Sequence, residues 1–243
     1  MAPASRSLGG EGIRIYDGYI KTVSASGAGI GNGYGHDGSP GSIAIYGGII
    51  RSCSNVGAGI GGGYRGRNGQ IDIYGGKIQS ISTVSGAGIG SGSEANQIAD
   101  INIHGGTIIA QAAEGAGIGS GKTSSGSGGS ITISDSTVTA VSPKNGAGIG
   151  GGEDGDGDAF LVSGRSTVEA VAGSDGWGKA VGYGDYNVFS VPSTGSVTIS
   201  NGLRVKAGKS SDNTRIMSPM IALTRSATTN TLRYTHAGMS VPL

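Results

Sequence analysis

The chain has 243 residues, of which 52 are glycine and 14% are charged, and its net charge is +1. Because this near-neutral balance supplies no basic surface, we expect no nucleic-acid partner. No stretch approaches the roughly 20 apolar residues of a membrane span, so direct membrane insertion is not expected either. The single cysteine, Cys53, excludes a disulfide within the chain.

Residues 1–10 contain no apolar run, so no signal peptide is visible in them. We expect this segment to be disordered or truncated. The first repeat follows directly, without an obvious cap of the kind that solenoids normally need. This arrangement favours a piece of a larger protein, or an end that a partner covers.

A short apolar alternation opens each repeat. It begins at residues 13–18 as Ile-Arg-Ile-Tyr-Asp-Gly and recurs at residues 43–48, 71–76 and 101–106. Weaker copies follow at residues 131–136 and 160–166, and the last copy lies at residues 197–202. Because Ile-x-Ile alternates with period two, it predicts a strand with one apolar face. The glycines that follow in most copies allow the chain to turn, since they tolerate positive φ.

A second strand and a glycine-rich string complete each repeat. The second strand is predicted at residues 20–23, 50–53, 78–81, 138–141 and 168–171. The string Gly-Ala-Gly-Ile-Gly occurs unchanged at residues 27–31, 57–61, 86–90, 115–119 and 146–150, and successive copies start 30, 29, 29 and 31 residues apart. A period of this size indicates a solenoid.

The predicted fold is all-β, a single-stranded parallel β-helix of right-handed sense with six to seven coils of about 30 residues. The array covers residues 11–208, and residues 209–243, where the repeat disappears, form a β-rich cap. We expect the isoleucine and alanine of each pentapeptide to stack inside, with the flanking glycines pointing outward. Cys53 replaces Val or Ile of other repeats, so we interpret it as a buried apolar filler.

The whole repeat, Ile-x-Ile-x-Gly-Gly followed by a β-rich run and Gly-Ala-Gly-Ile-Gly, resembles glycine-rich repeats of large bacterial surface or secreted proteins. The resemblance covers about residues 10 to 210. Such proteins are generally taken to be adhesins or carbohydrate-binding surface proteins. The resemblance therefore implies an extracellular or cell-surface location, as part of a larger exported protein, and a glycan or host-surface ligand.

One outward column carries rings in four successive repeats. The residue after each Ile-x-Ile faces away from the core, and these residues are Tyr16, Tyr46, Tyr74 and His104. Aligned rings of this kind offer apolar faces on which sugars stack, and tyrosine adds a hydroxyl for hydrogen bonding. The neighbouring outward column adds polar side chains at Asp72 and Asn102. The alternative is that the rings only stabilise the sheet.

Loop aromatics give a second indication. Tyr34 and Tyr64 occupy matching places in two repeats, and Trp177 lies in a later loop with two tyrosines close in sequence. Trp177 is a candidate sugar contact, or it packs over an irregular coil.

The acidic run at residues 153–158 alternates carboxylates with glycines. Asp154, Asp156 and Asp158 could hold Ca²⁺, which prefers oxygen ligands. The complete calcium-loop pattern is absent, so a solvated turn is the alternative. No other cofactor is expected.

Three functions remain open at this point. The first is a non-catalytic, adhesin-like binding module. The second is a structural spacer that self-associates through the glycine-lined face or through uncapped ends. The third is a glycan-active enzyme, for which Asp72, Asp100 and His104 are the nearest candidates, although no matching pair of carboxylates is visible.

Overall fold

The computed structural model describes residues 12–35, 41–95, 100–124, 129–155, 159–172, 178–182 and 184, and four short strands after residue 196. Residues 1–10 lie outside this part of the chain, as does most of the predicted cap. Within the described part no helix is long and apolar enough to cross a membrane.

Each repeat forms three strands. In the first five repeats they are β1 (Ile13–Ile15), β2 (Tyr19–Ser24), β3 (Ile30–Gly31), β4 (Ile43–Ile45), β5 (Ile49–Ser54), β6 (Ile60–Gly61), β7 (Ile71–Ile73), β8 (Lys77–Ser82), β9 (Ile89–Gly90), β10 (Ile101–Ile103), β11 (Gly106–Ala112), β12 (Ile118–Gly119), β13 (Ser130–Ser134), β14 (Ser136–Ser142) and β15 (Ile149–Gly150). The remaining strands are β16 (Ala159–Ser163), β17 (Thr167–Ala172), β18 (Val181–Gly182), β19 (Val197–Ile199), β20 (Val205–Ala207), β21 (Thr224–Arg225) and β22 (Leu232–Arg233).

Equivalent strands of successive repeats pair in parallel and build three sheets. The first sheet has the order β1-β4-β7-β10-β13-β16-β19, the second β2-β5-β8-β11-β14-β17-β20, and the third β18-β15-β12-β9-β6-β3. The register places identical positions side by side, as in Ile13 with Ile43. The predicted parallel β-helix is therefore confirmed.

The regular solenoid has about five turns, one for each intact pentapeptide. The expected six to seven coils are reached only when the less regular turn from β16 to β18 and the two strands β19 and β20 are included. Within the predicted cap, β21 and β22 form an antiparallel pair.

Stacked isoleucines fill the interior. Ile60, Ile89 and Ile118 of the third sheet are fully buried, and so are Ile73 and Ile103 of the first. Burying one such side chain stabilises the fold by roughly 1.5–3 kcal/mol relative to exposure. Because each coil places its isoleucines on those of its neighbours, stability arises from stacking, as the sequence predicts.

The glycines of the second to fifth pentapeptides are buried, and the prediction that they point outward is wrong. Residues 57–63 and 85–93 are buried throughout. The reason is that the pentapeptide closes into a loop: the Ala87 N–H donates to the carbonyl of Ser91 at 2.9 Å. A Cβ on Gly90, whose φ is +135°, would collide with the carbonyl oxygen of Gly119 in the next coil. These glycines permit close backbone approach, and they form no exposed face.

Serines line part of the interior of the second sheet. The Ser80 hydroxyl donates to the carbonyl of Gly88 at 2.6 Å, and the Ser82 hydroxyl lies 3.0 Å from the carbonyl of Gly57. Both serines are at most 1% exposed. These hydrogen bonds give both buried hydroxyl groups a partner, which offsets the cost of removing them from water.

Cys53 lies on the outer face of the second sheet, so its interpretation as a buried filler is wrong. Its column includes Val23, which is 76% exposed, and Ile81, which is half-buried. Alternation along β5 places Ser52 and Ser54 inside and the residue between them outside.

Candidate functional site

The four predicted rings form one continuous stack on the outside of the solenoid. Tyr16 stacks on Tyr46, Tyr46 on Tyr74, and Tyr74 on His104, each with ring centroids 5.0 Å apart. The interplanar angles are 7°, 6° and 16°. We call these four residues the aromatic ladder. It forms because the parallel register aligns the residue that follows each strand of the first sheet.

The ring faces inside the aromatic ladder cover one another. Tyr46 and Tyr74 are nonetheless 44% and 46% exposed, so solvent reaches the sides of the stack. The sequence predicts an exposed column on whose ring faces sugars stack. In this geometry such faces are available only at the two ends of the ladder. Along its length, the accessible groups are ring edges and hydroxyls.

A polar column runs beside the aromatic ladder on the outer face of the first sheet. Asp72 Oδ1 accepts hydrogen bonds from Asn102 Nδ2 and from Gln70 Nε2, both at 2.9 Å. Gln70 also donates to Asp72 Oδ2 at 3.1 Å. These bonds orient one carboxylate and two amides next to the rings of Tyr74 and His104. The outward positions of Asp72 and Asn102 agree with the prediction.

The aromatic ladder ends at His104. In the next repeat the turn between the first-sheet and second-sheet strands has a different backbone conformation. In the fourth repeat Gly106 turns the chain with φ +100°, a value that glycine readily adopts. Its partner in the fifth repeat is Ser136, and the positive φ there moves to Asp135, at 47°. The ladder position itself is taken by Ser134, which belongs to β13 and has no ring.

Tyr34 and Tyr64 form a second cluster, in the turns that follow the third-sheet strands β3 and β6. Their ring centroids are 5.4 Å apart, and the Arg65 guanidinium lies 5.0 Å from the Tyr64 ring. Glu94 accepts from the Tyr64 hydroxyl at 2.7 Å and from Arg65 Nε at 2.8 Å. These bonds lower the pKa of Glu94, with the Tyr64 hydroxyl as the larger cause. Residues 65 and 94, one repeat apart and opposite in charge, are the signal that could have revealed this contact.

The same turn is charged in later repeats. Lys122 contacts Glu153 at 2.9 Å and Glu114 at 3.0 Å, and Lys144 contacts Glu114 at 3.2 Å. Burial opposes ionisation of Glu114, but hydrogen bonds from Lys122 and Lys144 outweigh burial and lower its pKa. The pKa of Lys122 is raised, chiefly by its bond to Glu153. This cluster joins neighbouring coils.

The structure describes only some of the remaining candidate binding residues. Trp177, Asp156 and Asp158 lie outside the described residues, so their proposed roles stay predictions. Asp154 sits in a left-handed turn with φ 54°. Within the part of the chain that the structure describes, no group of three or more His, Cys, Asp or Glu could hold a metal ion.

The residues considered for catalysis have separate partners. Asp100 Oδ1 accepts hydrogen bonds from the backbone N–H and hydroxyl of Ser130, at 2.9 and 2.7 Å. Asp72 is held by Gln70 and Asn102, as described above. These two carboxylates are therefore engaged in bonds that fix neighbouring strands and side chains.

Comparison with known families agrees with this architecture. Residues 71–93, 101–122 and 131–153 match a family model described as Beta helix repeat. Three of the chain's repeats are thus similar to the beta helix repeat. Each matched segment begins at a first-sheet strand and ends just after the pentapeptide loop. Neither curated proteins nor solved structures gave a match.

Beta helix repeats establish the scaffold, and the matched segments include Tyr74 and His104. The aromatic ladder extends to Tyr16 and Tyr46, which lie before the first matched segment. Its chemical role must therefore be argued from its own geometry.

Proposed function

We propose that this chain is a non-catalytic, adhesin-like module that binds glycans on the outer face of its first sheet. The observation that carries the proposal is the exposed, regularly spaced ladder of rings beside an oriented carboxylate and two amides. Rings combined with planar hydrogen-bonding groups suit sugars, which present both C–H surfaces and hydroxyls. An extracellular or cell-surface location belongs to the same proposal.

The spacing of the aromatic ladder favours a linear glycan parallel to the solenoid axis. Adjacent rings are 5.0 Å apart, which is close to the length of one sugar residue in an extended β-linked chain. Each sugar would then meet one coil. Tyrosine hydroxyls on one side and the Asp72–Asn102 pair on the other would bond to its hydroxyls, while ring edges contact its C–H groups.

A structural role is the second candidate, because the rings already stack on one another without a ligand. Stacked aromatic pairs contribute about 0.5–1.5 kcal/mol each beyond their buried area. Three successive contacts in the aromatic ladder would stiffen the outer edge of four coils without any ligand. Self-association through the ends of the solenoid belongs to this candidate. The buried glycines remove the exposed face on which lateral packing was expected to depend.

A glycan array separates the two candidates. We expect the purified chain to bind glycans, with Tyr46→Ala weakening binding at least about tenfold through lost ring contacts. Asp72→Asn keeps the shape of the side chain but removes its charge, so it should weaken binding through altered hydrogen bonding. Repeating the array with and without Ca²⁺ tests the acidic run at residues 153–158.

The matched control is Tyr34→Ala, which removes an exposed tyrosine at another corner of the coil. It should leave glycan binding unchanged. Binding that survives Tyr46→Ala would remove the aromatic ladder from the site. A blank array, together with assembly in light scattering at high concentration, would favour the structural role.

A further inference from the structure

We infer that the imidazole of His104 has an uncovered face on its carboxyl-terminal side, at the level of Ser134. One terminal sugar residue of a glycan stacks on this face, at what we call the open position. This inference rests on the proposed glycan-binding function and names the part of the site that takes the end of the ligand.

The first support is the register of the ladder. Each ring in the column is covered on its carboxyl-terminal side by the ring of the next coil, as far as His104. The first-sheet register then places Ser134 at the next step, because Ile103 pairs with Ile133. Serine has no ring, so among the described residues the imidazole of His104 has no aromatic neighbour on that side. His104 is exposed.

The second support is the conformation of Ser134. Its hydroxyl oxygen lies 3.5 Å from the carbonyl oxygen of Ile103, which places it against the backbone of the preceding coil. The following coil has Ser163 in the same column. Two consecutive steps beyond His104 therefore carry only short side chains. The ladder spacing of 5.0 Å shows that one step accommodates the thickness of a ring.

The third support is the chemistry around the open position. Asp135 is exposed and directly follows Ser134, and its Oδ1 accepts the backbone N–H of Arg165 at 2.9 Å. Thr132 follows Asn102 in the polar column. A sugar on the imidazole would thus have a carboxylate and a hydroxyl within its surroundings, as well as an aromatic face. Inside the ladder no ring offers that combination, because its faces are covered.

Filling the open position with a side chain tests the inference. The probes are the methyl glycosides of glucose, galactose, mannose and N-acetylglucosamine, observed by saturation-transfer NMR. We expect at least one to bind the unmodified chain. Ser134→Tyr should extend the ladder over His104 and weaken that binding at least about tenfold, whereas Ser134→Ala should leave it within about twofold.

Two further variants distinguish loss of the binding position from loss of folding. His104→Ala removes the imidazole face and should also abolish glycoside binding. Tyr34→Ala removes an exposed tyrosine outside the aromatic ladder and should not. Thermal unfolding of each variant confirms that it is folded, and Ser134→Tyr should be at least as stable as the unmodified chain because its ring stacks on His104.

The outcomes separate this inference from the proposed function. Glycoside binding that persists in Ser134→Tyr overturns the end position, and so does an unmodified chain that binds none of the four probes. If longer glycans on the array still depend on Tyr46 in either case, the proposed function stands without the end position. Loss of binding in Ser134→Tyr and His104→Ala alone supports the inference.

Discussion

At the scale of single residues, the glycines of the pentapeptide decide whether coils can approach. Gly61, Gly90 and Gly119 share a φ near +130°, and an added Cβ on each would meet backbone of the next coil. Backbone cannot move aside as a flexible side chain can. The same residue type is far less demanding at Gly33, where an added Cβ meets nothing within 4 Å.

We therefore expect Gly90→Ala to lower the free energy of unfolding by more than about 3 kcal/mol, through a backbone collision combined with unfavourable φ. Gly33→Ala is the control and should change it by less than about 0.5 kcal/mol. Urea denaturation followed by circular dichroism measures both. Equal stabilities of the two variants would contradict the assigned role of Gly90.

At the level of single residues, the sequence predicted the columns and faces of the first sheet, but not the burial of the pentapeptide glycines or the face of Cys53. Tyr16, Tyr46, Tyr74 and His104 could be aligned because a parallel register requires only the repeat spacing. The burial of the glycines could not be foreseen, because it depends on the loop closed between Ala87 and Ser91. Nor could the inward serines, since their partners are carbonyls of loops several residues away and of other coils. The face of Cys53 was misjudged for the same reason: serines, rather than large apolar residues, mark the inside of β5.

At the scale of elements, the inner and outer faces of a coil differ sharply in how well they tolerate substitution. Ile89 of β9 is fully buried among isoleucines of other coils, whereas Tyr74 follows β7 and is 46% exposed. Both residues have equivalents in the neighbouring coils. Only Ile89 is completely shielded from water.

Ile89→Asp should lower the free energy of unfolding by more than about 4 kcal/mol and unfold the array, because it buries an unpaired charge. Tyr74→Ala should cost about 1–3 kcal/mol, through loss of two stacking contacts. Chemical denaturation compares the two. Similar losses would mean that the inner and outer faces are assigned wrongly.

The charged turns link stability to pH. Glu114 has a lowered pKa in the folded chain, so its ionised form favours folding above its ordinary pKa of 4.5, and that contribution disappears as the pH falls through the folded value. Lys122 has a raised pKa, so its contribution is complete below 10.5 and disappears as the pH rises through its folded value. The cluster therefore stabilises most between these limits.

Glu114→Gln should flatten the acid limb of the stability curve, because it removes a group whose pKa falls on folding. Thermal midpoints measured from pH 3 to pH 7 test this, and the variant should lose less stability on acidification than the unmodified chain. Glu169→Gln, on the outer face of the second sheet, is the control and should retain the acid limb. An unchanged limb in Glu114→Gln would exclude this residue as its source.

At the scale of the whole molecule, coils interact only with their neighbours along the stack. The structure pairs Ile71 with Ile101 and Asn102 with Asp72, so a coil can be removed with little change of register. Deleting residues 71–100 would join Gln70 to Ile101 and bring the fourth repeat onto the second. Repeat proteins behave in this additive way.

We expect the deletion to fold, with β-sheet circular dichroism per residue unchanged and a lower thermal midpoint because one layer of stacked isoleucine is lost. Tyr46 would then stack directly on His104, and glycan binding would weaken because one ring is missing. A deletion of residues 71–85 breaks the period and should not fold. An unfolded whole-coil deletion would show that the stack is more cooperative than its neighbour contacts indicate.

The repeat spacing predicted the architecture of the described solenoid, because a single periodicity determines sheets, register and interior together. The candidate site was predictable only in its membership. That its rings cover one another depends on side-chain torsions, which periodicity does not determine.

The aromatic ladder also has an optical consequence. Three phenol chromophores held nearly parallel at 5.0 Å are close enough for their ultraviolet transitions to couple. The stack should therefore give a near-ultraviolet circular dichroism signal stronger than three isolated tyrosines would, and the middle ring, Tyr46, should control most of it. Such a signal would report the alignment of the first three coils directly, in solution and without a label.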